Sequence, residues 1–180
     1  MQPSHPTPQQ TLSSDERGRY ARQLILPEVG LAGQERLKAA AVLCVGAGGL
    51  GSPLLLYLAA AGIGRIGIVD GDAVELSNLQ RQVIHRSDAV GCSKARSAAQ
   101  SLQALNPHCQ IDVHDVMLDI TNVMDLIADY DVVCDGTDNF ASRYLINDAC
   151  VLSGKPLIYG SVQRFEGQVT VFNCNLESPN

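Results

Sequence analysis

The chain has 180 residues, 13 Lys and Arg against 19 Asp and Glu, and a formal net charge of −6 at pH 7. With no basic run to neutralise phosphates along a duplex, that balance excludes a general nucleic-acid binder, and the length suits one domain around one core. The six cysteines, Cys44, Cys92, Cys109, Cys134, Cys150 and Cys174, show no CxxC spacing, so reduced buried thiols are expected rather than a zinc knuckle or a redox pair.

Residues 1–14 are rich in Pro, Gln, Ser and Thr and offer almost nothing apolar to bury, so they read as a disordered tail. Neither a basic leader with an apolar core nor a bilayer-length apolar run appears. The reading is therefore a cytoplasmic protein with no membrane partner. An arm at 15–40 follows: Asp15 and Glu16 suit the first turn of a helix that continues into Arg19–Leu24, Pro27 and Gly30 interrupt it, and 34–40 reads as another short helix.

From residue 41 strands alternate with helices. The pattern predicts strands at 41–45, 65–69, 110–116, 130–134, 157–159 and 167–172, and helices at 51–61, 93–105 and 140–153. A long loop spans 71–93. Asn106-Pro107 closes the second of these helices, and Gly154 with Pro156 ends the third. The last strand alternates polar and apolar residues, as one with a single wet face does. The fold class is α/β, a Rossmann-like doubly wound, mainly parallel sheet with helices on both faces.

The apolar strand 41–45 breaks into Gly46-Ala47-Gly48-Gly49-Leu50-Gly51 and then a helix, the fingerprint of a nucleotide-binding turn. Gly46 allows the tight turn, Gly48 the close approach of backbone to phosphate, and Gly51 the packing of helix on strand. Ser52 and Pro53 stand where a P-loop carries lysine and a hydroxyl residue, so the phosphate cations must come from elsewhere. Arg81 and Lys94 are the candidates, against a plainer reading as solvated surface charges.

At the switch point between the first and fourth strands, Asp138 in Asp135-Gly136-Thr137-Asp138-Asn139 faces the same crevice. A carboxylate there suits magnesium bridging to phosphate oxygens; its alternative is an N-cap on the next helix. Asp70 ends the second strand where an acid reaches a ribose hydroxyl, with Asp72 two residues on; its alternative is an Asp-Gly turn. The scattered histidines suggest no catalytic base. A reaction needing none is attack of an already ionised carboxylate on the α-phosphorus of ATP.

Arg19-Tyr20-Ala21-Arg22-Gln23, the glycine turn, Asp70-Gly71-Asp72, Ser77-Asn78-Leu79-Gln80-Arg81-Gln82, Lys94 and Thr137-Asp138-Asn139 together resemble the MoeB/ThiF/HesA family, relatives of the ubiquitin-activating enzymes. The resemblance runs from about residue 19 to 172 and is strongest with the MoeB branch. It implies adenylation of the C-terminal glycine of a ubiquitin-like sulfur carrier ending in Gly-Gly, with release of pyrophosphate. It implies that Gly49, Asp70, Ser77, Asn78, Arg81 and Lys94 hold ATP, that Asp138 binds magnesium with Asn139 beside it, and that Arg22 reaches the phosphates of the other subunit of a homodimer.

The family continues past the last strand with two zinc-binding CxxC pairs and further strands, which this sequence lacks. The expectation is thus an incomplete adenylation domain at 41–174, with 175–180 beginning a crossover segment, and no zinc ligands in this chain. Two rivals remain: an NAD-dependent oxidoreductase, which the glycine turn and Asp70 fit equally well but Arg81, Lys94 and Asp138 do not, and a nucleotide-binding module without activity.

Overall fold

The computed structural model describes residues 11–173. Six strands form one sheet: β1 (Ala41–Val45), β2 (Arg65–Val69), β3 (Gln110–His114), β4 (Val132–Asp135), β5 (Leu157–Gln163) and β6 (Glu166–Phe172), in the order β3-β2-β1-β4-β5-β6. All neighbours are parallel except β5 and β6, an antiparallel hairpin. This is the doubly wound arrangement, and it makes β1 and β4 neighbours at the switch point.

Helices cover both faces. On one, Leu55 and Ala59 of α4 (Gly51–Ala61) and Ala95, Ala98 and Leu102 of α5 (Lys94–Leu105) pack with Val42, Cys44, Ile66 and Ile68 of the central strands. On the other, Val123 and Ile127 of α6 (Val123–Ala128) and Ile146, Ala149 and Cys150 of α7 (Phe140–Ser153) meet Leu43, Val45, Val69 and Val133. Strand residues of both parities are buried, because a parallel sheet sandwiched by helices has no wet face. Ser93 caps α5 through Arg96 N, and Gly154 closes α7 at φ 62°.

Three expectations need correction. Residues 1–10 of the expected tail lie outside the described residues, but its last part is packed: Leu12 is buried, and Ser13 forms a reciprocal capping box with Glu16 at the start of α1 (Ser14–Arg19). Helix α6 was not expected; it is six residues long, has no side-chain cap among the described residues, and buries Val123 and Ile127. Strand β6 does not have one wet face, since every residue in it is exposed. The expected crossover segment, 175–180, also lies outside the described residues.

The arm docks on the ends of α4 and α5. Helix α3 (Gly30–Ala39) contributes Gln34, whose Nε2 donates to Ala61 O at 2.8 Å. Gln23 of α2 (Ala21–Leu24) donates to the same carbonyl at 3.1 Å. Tyr20 is buried, its hydroxyl accepting from Asn106 Nδ2 at 2.8 Å, and Arg19 donates to Leu105 O. Among the described residues no helix is long and apolar enough to cross a membrane.

Candidate functional site

A cleft of about 470 Å³ opens at the carboxyl ends of β1, β2 and β4. Its floor is the glycine turn. Gly46 has φ 92°, and a Cβ there would stand 3.0 Å from Gly136 O. A Cβ on Gly51 would stand 1.9 Å from Gly46 O, so α4 rests on the turn at a distance only glycine permits. Gly48 is different: a Cβ would meet only Gln82 Nε2, at 3.7 Å, which leaves its backbone open to the cleft. Among the described residues no side chain caps α4; Ser52 N is bonded to Gly48 O at 2.9 Å and Pro53 has no N–H, which leaves the Gly51 amide to an anion.

One wall is the end of β2 with the 71–93 loop. Asp70 serves both the turn and the site: Oδ2 accepts from Ala47 N at 2.8 Å and Oδ1 from Asp72 N at 2.9 Å. Lys94 is buried and paired with Asp72, Nζ to Oδ2 at 2.8 Å, so it is not the solvated surface charge of the plainer reading. His85 is buried beneath, Nε2 2.9 Å from Ala47 O and Nδ1 3.0 Å from Ser97 Oγ. Burial holds its pKa below the usual 6.5, with the Ala47 hydrogen bond pulling back; the neutral ring braces the turn from behind.

The opposite wall is the β4–α7 loop. Asp135 is buried, with Oδ1 accepting from Thr137 N at 2.8 Å and Thr137 Oγ1 at 2.7 Å. Its Oδ2 has no hydrogen-bond partner among the described residues, and burial raises its pKa against the opposing Thr137 bonds. Arg143 fastens the loop from the other side: Nε and Nη2 donate to Thr137 O at 3.3 and 2.9 Å, while its guanidinium lies 5.5 Å from the Tyr159 ring centroid. Asn139, not Asp138, caps α7, its Oδ1 accepting from Ser142 N at 2.9 Å. That leaves Asp138 exposed on the cleft, its carboxylate not used as a cap among the described residues. Among the described residues no group of three His, Cys, Asp or Glu side chains could hold a metal; Asp138 offers one carboxylate.

The structure brings Gly46, Gly48, Gly49, Asp70, Asp72 and Arg81 to this cleft, along with Lys94, Asp138 and Asn139. Gly51 lies just behind them. Ser77 and Asn78 do not line it; they sit in a short 3₁₀ turn, both donating to Glu75 Oε2, and Asn78 Oδ1 accepts from Arg81 Nη2 at 2.9 Å. Asn78 thus positions Arg81. Arg22 is exposed on α2 and does not line the cleft. Sequence reasoning missed the tertiary roles of His85, Gln82, Asp135 and Arg143. Only Asp135 had a local signal, an Asp two residues before a Thr whose amide it accepts.

Residues 20–180 match the ThiF family. The chain is 58% identical over 165 residues to a Mycobacterium tuberculosis protein named probable adenylyltransferase/sulfurtransferase MoeZ, covering 92% of this chain and 42% of that one. It is 53% identical to the sulfur carrier protein adenylyltransferase of Thermus thermophilus, covering 89% of this chain and 59% of that one. In each case it spans less than two thirds of the relative's length. Among solved structures it superposes on PaaA with a TM-score of 0.83 at 28% identity, covering 99% of this chain and 57% of that one. It also superposes on the E. coli tRNA N6-threonylcarbamoyladenosine dehydratase TcdA with a TM-score of 0.76 at 29% identity, covering 83% and 62%.

Proposed function

Since the chain belongs to the ThiF family, we propose that its cleft binds ATP and activates a carboxylate as the acyl-adenylate. The observation that carries this reading is the opposition of Asp138, exposed and uncapped, to an open Gly48 with Arg81 and Lys94 on the same cleft. The substrate is the C-terminal glycine of a ubiquitin-like sulfur carrier. The names of the M. tuberculosis and T. thermophilus relatives support that choice.

In this reading the carboxylate oxygen attacks the α-phosphorus, an oxygen–phosphorus bond forms, the bond to the β-phosphate breaks, and pyrophosphate departs. No base is needed, because a terminal carboxyl with a pKa around 3.5 is ionised at neutral pH. The amides from Gly48 to Gly51 receive the phosphates, Arg81 and Lys94 offset their charge, and Asp70 reaches the ribose. Asp138 fits magnesium, an ion that takes one or two carboxylates plus phosphate oxygens and supplies charge neutralisation for the leaving group.

The test is equilibrium binding of ATP with and without magnesium, set against NAD. Magnesium-dependent ATP binding with NAD far weaker is expected; preferential NAD binding would return the cleft to the oxidoreductase reading.

Arg22 completes the proposal as a residue supplied across a twofold interface. Three neighbours in Arg19–Gln23 are anchored within the subunit, and Arg22 is left exposed. Arg22→Ala and Asp138→Ala are each expected to be inactive. Mixed, they form heterodimers in which one site has both defects and the other neither, so activity returns to about a quarter of wild type for unbiased association. Heterodimers without activity would return Arg22 to the surface.

A further inference from the structure

Consecutive residues of the 71–93 loop sit over consecutive glycines of the turn. The Arg81 Cδ lies 3.4 Å from where a Cβ on Gly49 would stand, and Gln82 Nε2 lies 3.7 Å from the same point on Gly48. The two side chains differ in setting: Arg81 is exposed and tied to Asn78, whereas Gln82 is 4% exposed. Gln82 also lines the cleft, and its Oε1 is sealed from solvent with no hydrogen-bond partner among the described residues. An amide oxygen buried without a donor is costly, and a methionine of similar volume would avoid the cost. The other end of the amide, Nε2, is the one that faces Gly48.

We propose that Gln82 is a nucleotide-binding residue whose Nε2 donates to the phosphoryl group lying against Gly48. This rests on the ATP reading of the cleft. The chemistry follows from the placement. Gly48 lets the backbone approach a phosphate, Arg81 and Lys94 supply charge, and a neutral amide held by burial adds an uncharged donor at the Gly48 end of the turn. A buried donor loses little side-chain freedom when the nucleotide arrives. Gln82 discriminates nucleotides that carry a phosphate chain from those that do not, leaving the nucleoside end to other residues.

The experiment measures binding of magnesium-ATP and of adenosine to wild type, Gln82→Met and Gln82→Glu by calorimetry, with thermal unfolding of each. Wild-type binding of magnesium-ATP is the control for the ATP reading itself; without it that reading fails, and this inference with it. Given that control, Gln82→Met is expected to weaken ATP binding roughly tenfold or more, to leave adenosine binding unchanged, and to unfold at the same or a higher temperature. Wild-type ATP affinity in Gln82→Met overturns the assignment, as does an equal loss for ATP and adenosine. Should Gln82→Met fail to fold, Gln82→Glu decides: nearly isosteric, it replaces the donor with an acceptor and must weaken ATP binding further than adenosine binding. Wild-type ATP affinity in that variant overturns the proposal.

Discussion

On the wall formed by the glycine turn and the 71–93 loop, most of the polar side chains are committed to the protein itself, Gln82 being the exception. Asp70 holds Ala47 N, His85 faces Ala47 O, and Lys94 is paired with Asp72. On the wall formed by β4 and α7 the backbone is fastened just as firmly, through Asp135, Arg143 and the Asn139 cap, yet Asp138 stands free. The difference separates two tasks. A phosphate cradle built on backbone amides benefits from rigidity, so Asp70 and His85 brace the main chain there. A metal ligand works through a side chain, which must not be spent on a cap.

The strongest test of that contrast lies within the cradle, between two glycines three residues apart. Gly51→Ala drives a Cβ to 1.9 Å from Gly46 O, which no rotamer relieves because the obstacle is backbone. We expect a loss of about 3 kcal/mol or more in unfolding free energy. Gly48→Ala meets only the end of Gln82, so stability should stay within about 0.5 kcal/mol of wild type. Its ATP affinity should fall about tenfold, as a methyl group takes the space where phosphate approaches. Denaturant melts beside calorimetry separate the two; equal stability losses would mean the turn is structural throughout.

A smaller effect sharpens the role of the brace. Burial holds His85 below 6.5, so the unfolded chain takes up a proton at higher pH than the native one does. The stability His85 confers is thus complete above the unfolded value and is lost as pH falls through the lower native value. Unfolding free energy should decline below about pH 6.5, with a slope of at most about 1.4 kcal/mol per pH unit from this group. His85→Gln keeps a donor for Ala47 O and removes the titration, so its profile should be flatter there. Identical slopes in both proteins would place the titration elsewhere.

Much of this molecule could be read in advance where one residue type answers one local need. Gly46 and Gly154 sit at positive φ, Ser93 caps α5, and the doubly wound order follows from alternating apolar runs and helices. Helix α6 and the doubly exposed β6 could not be read that way. A six-residue helix held by packing carries too little periodicity, and alternation in a strand says nothing of what covers either face. The same limit applies to the site. Asp70, Asp138 and the glycines announce themselves by position after a strand, whereas His85 and Gln82 act only because the 71–93 loop folds back over the turn. Asn139 next to Asp138 shows how narrow the margin is: two adjacent residues suited the cap, and the assignment decides which stays free.

The most direct test of the adenylation account is carrier-dependent exchange of pyrophosphate into ATP. The protein is supplied with magnesium, ATP and a sulfur carrier ending in Gly-Gly, or the same carrier without its last glycine, beside Asp138→Ala. The account predicts exchange with the intact carrier alone and its loss in Asp138→Ala with the fold unchanged. Exchange that persists in Asp138→Ala, or that ignores the terminal glycine, would contradict it.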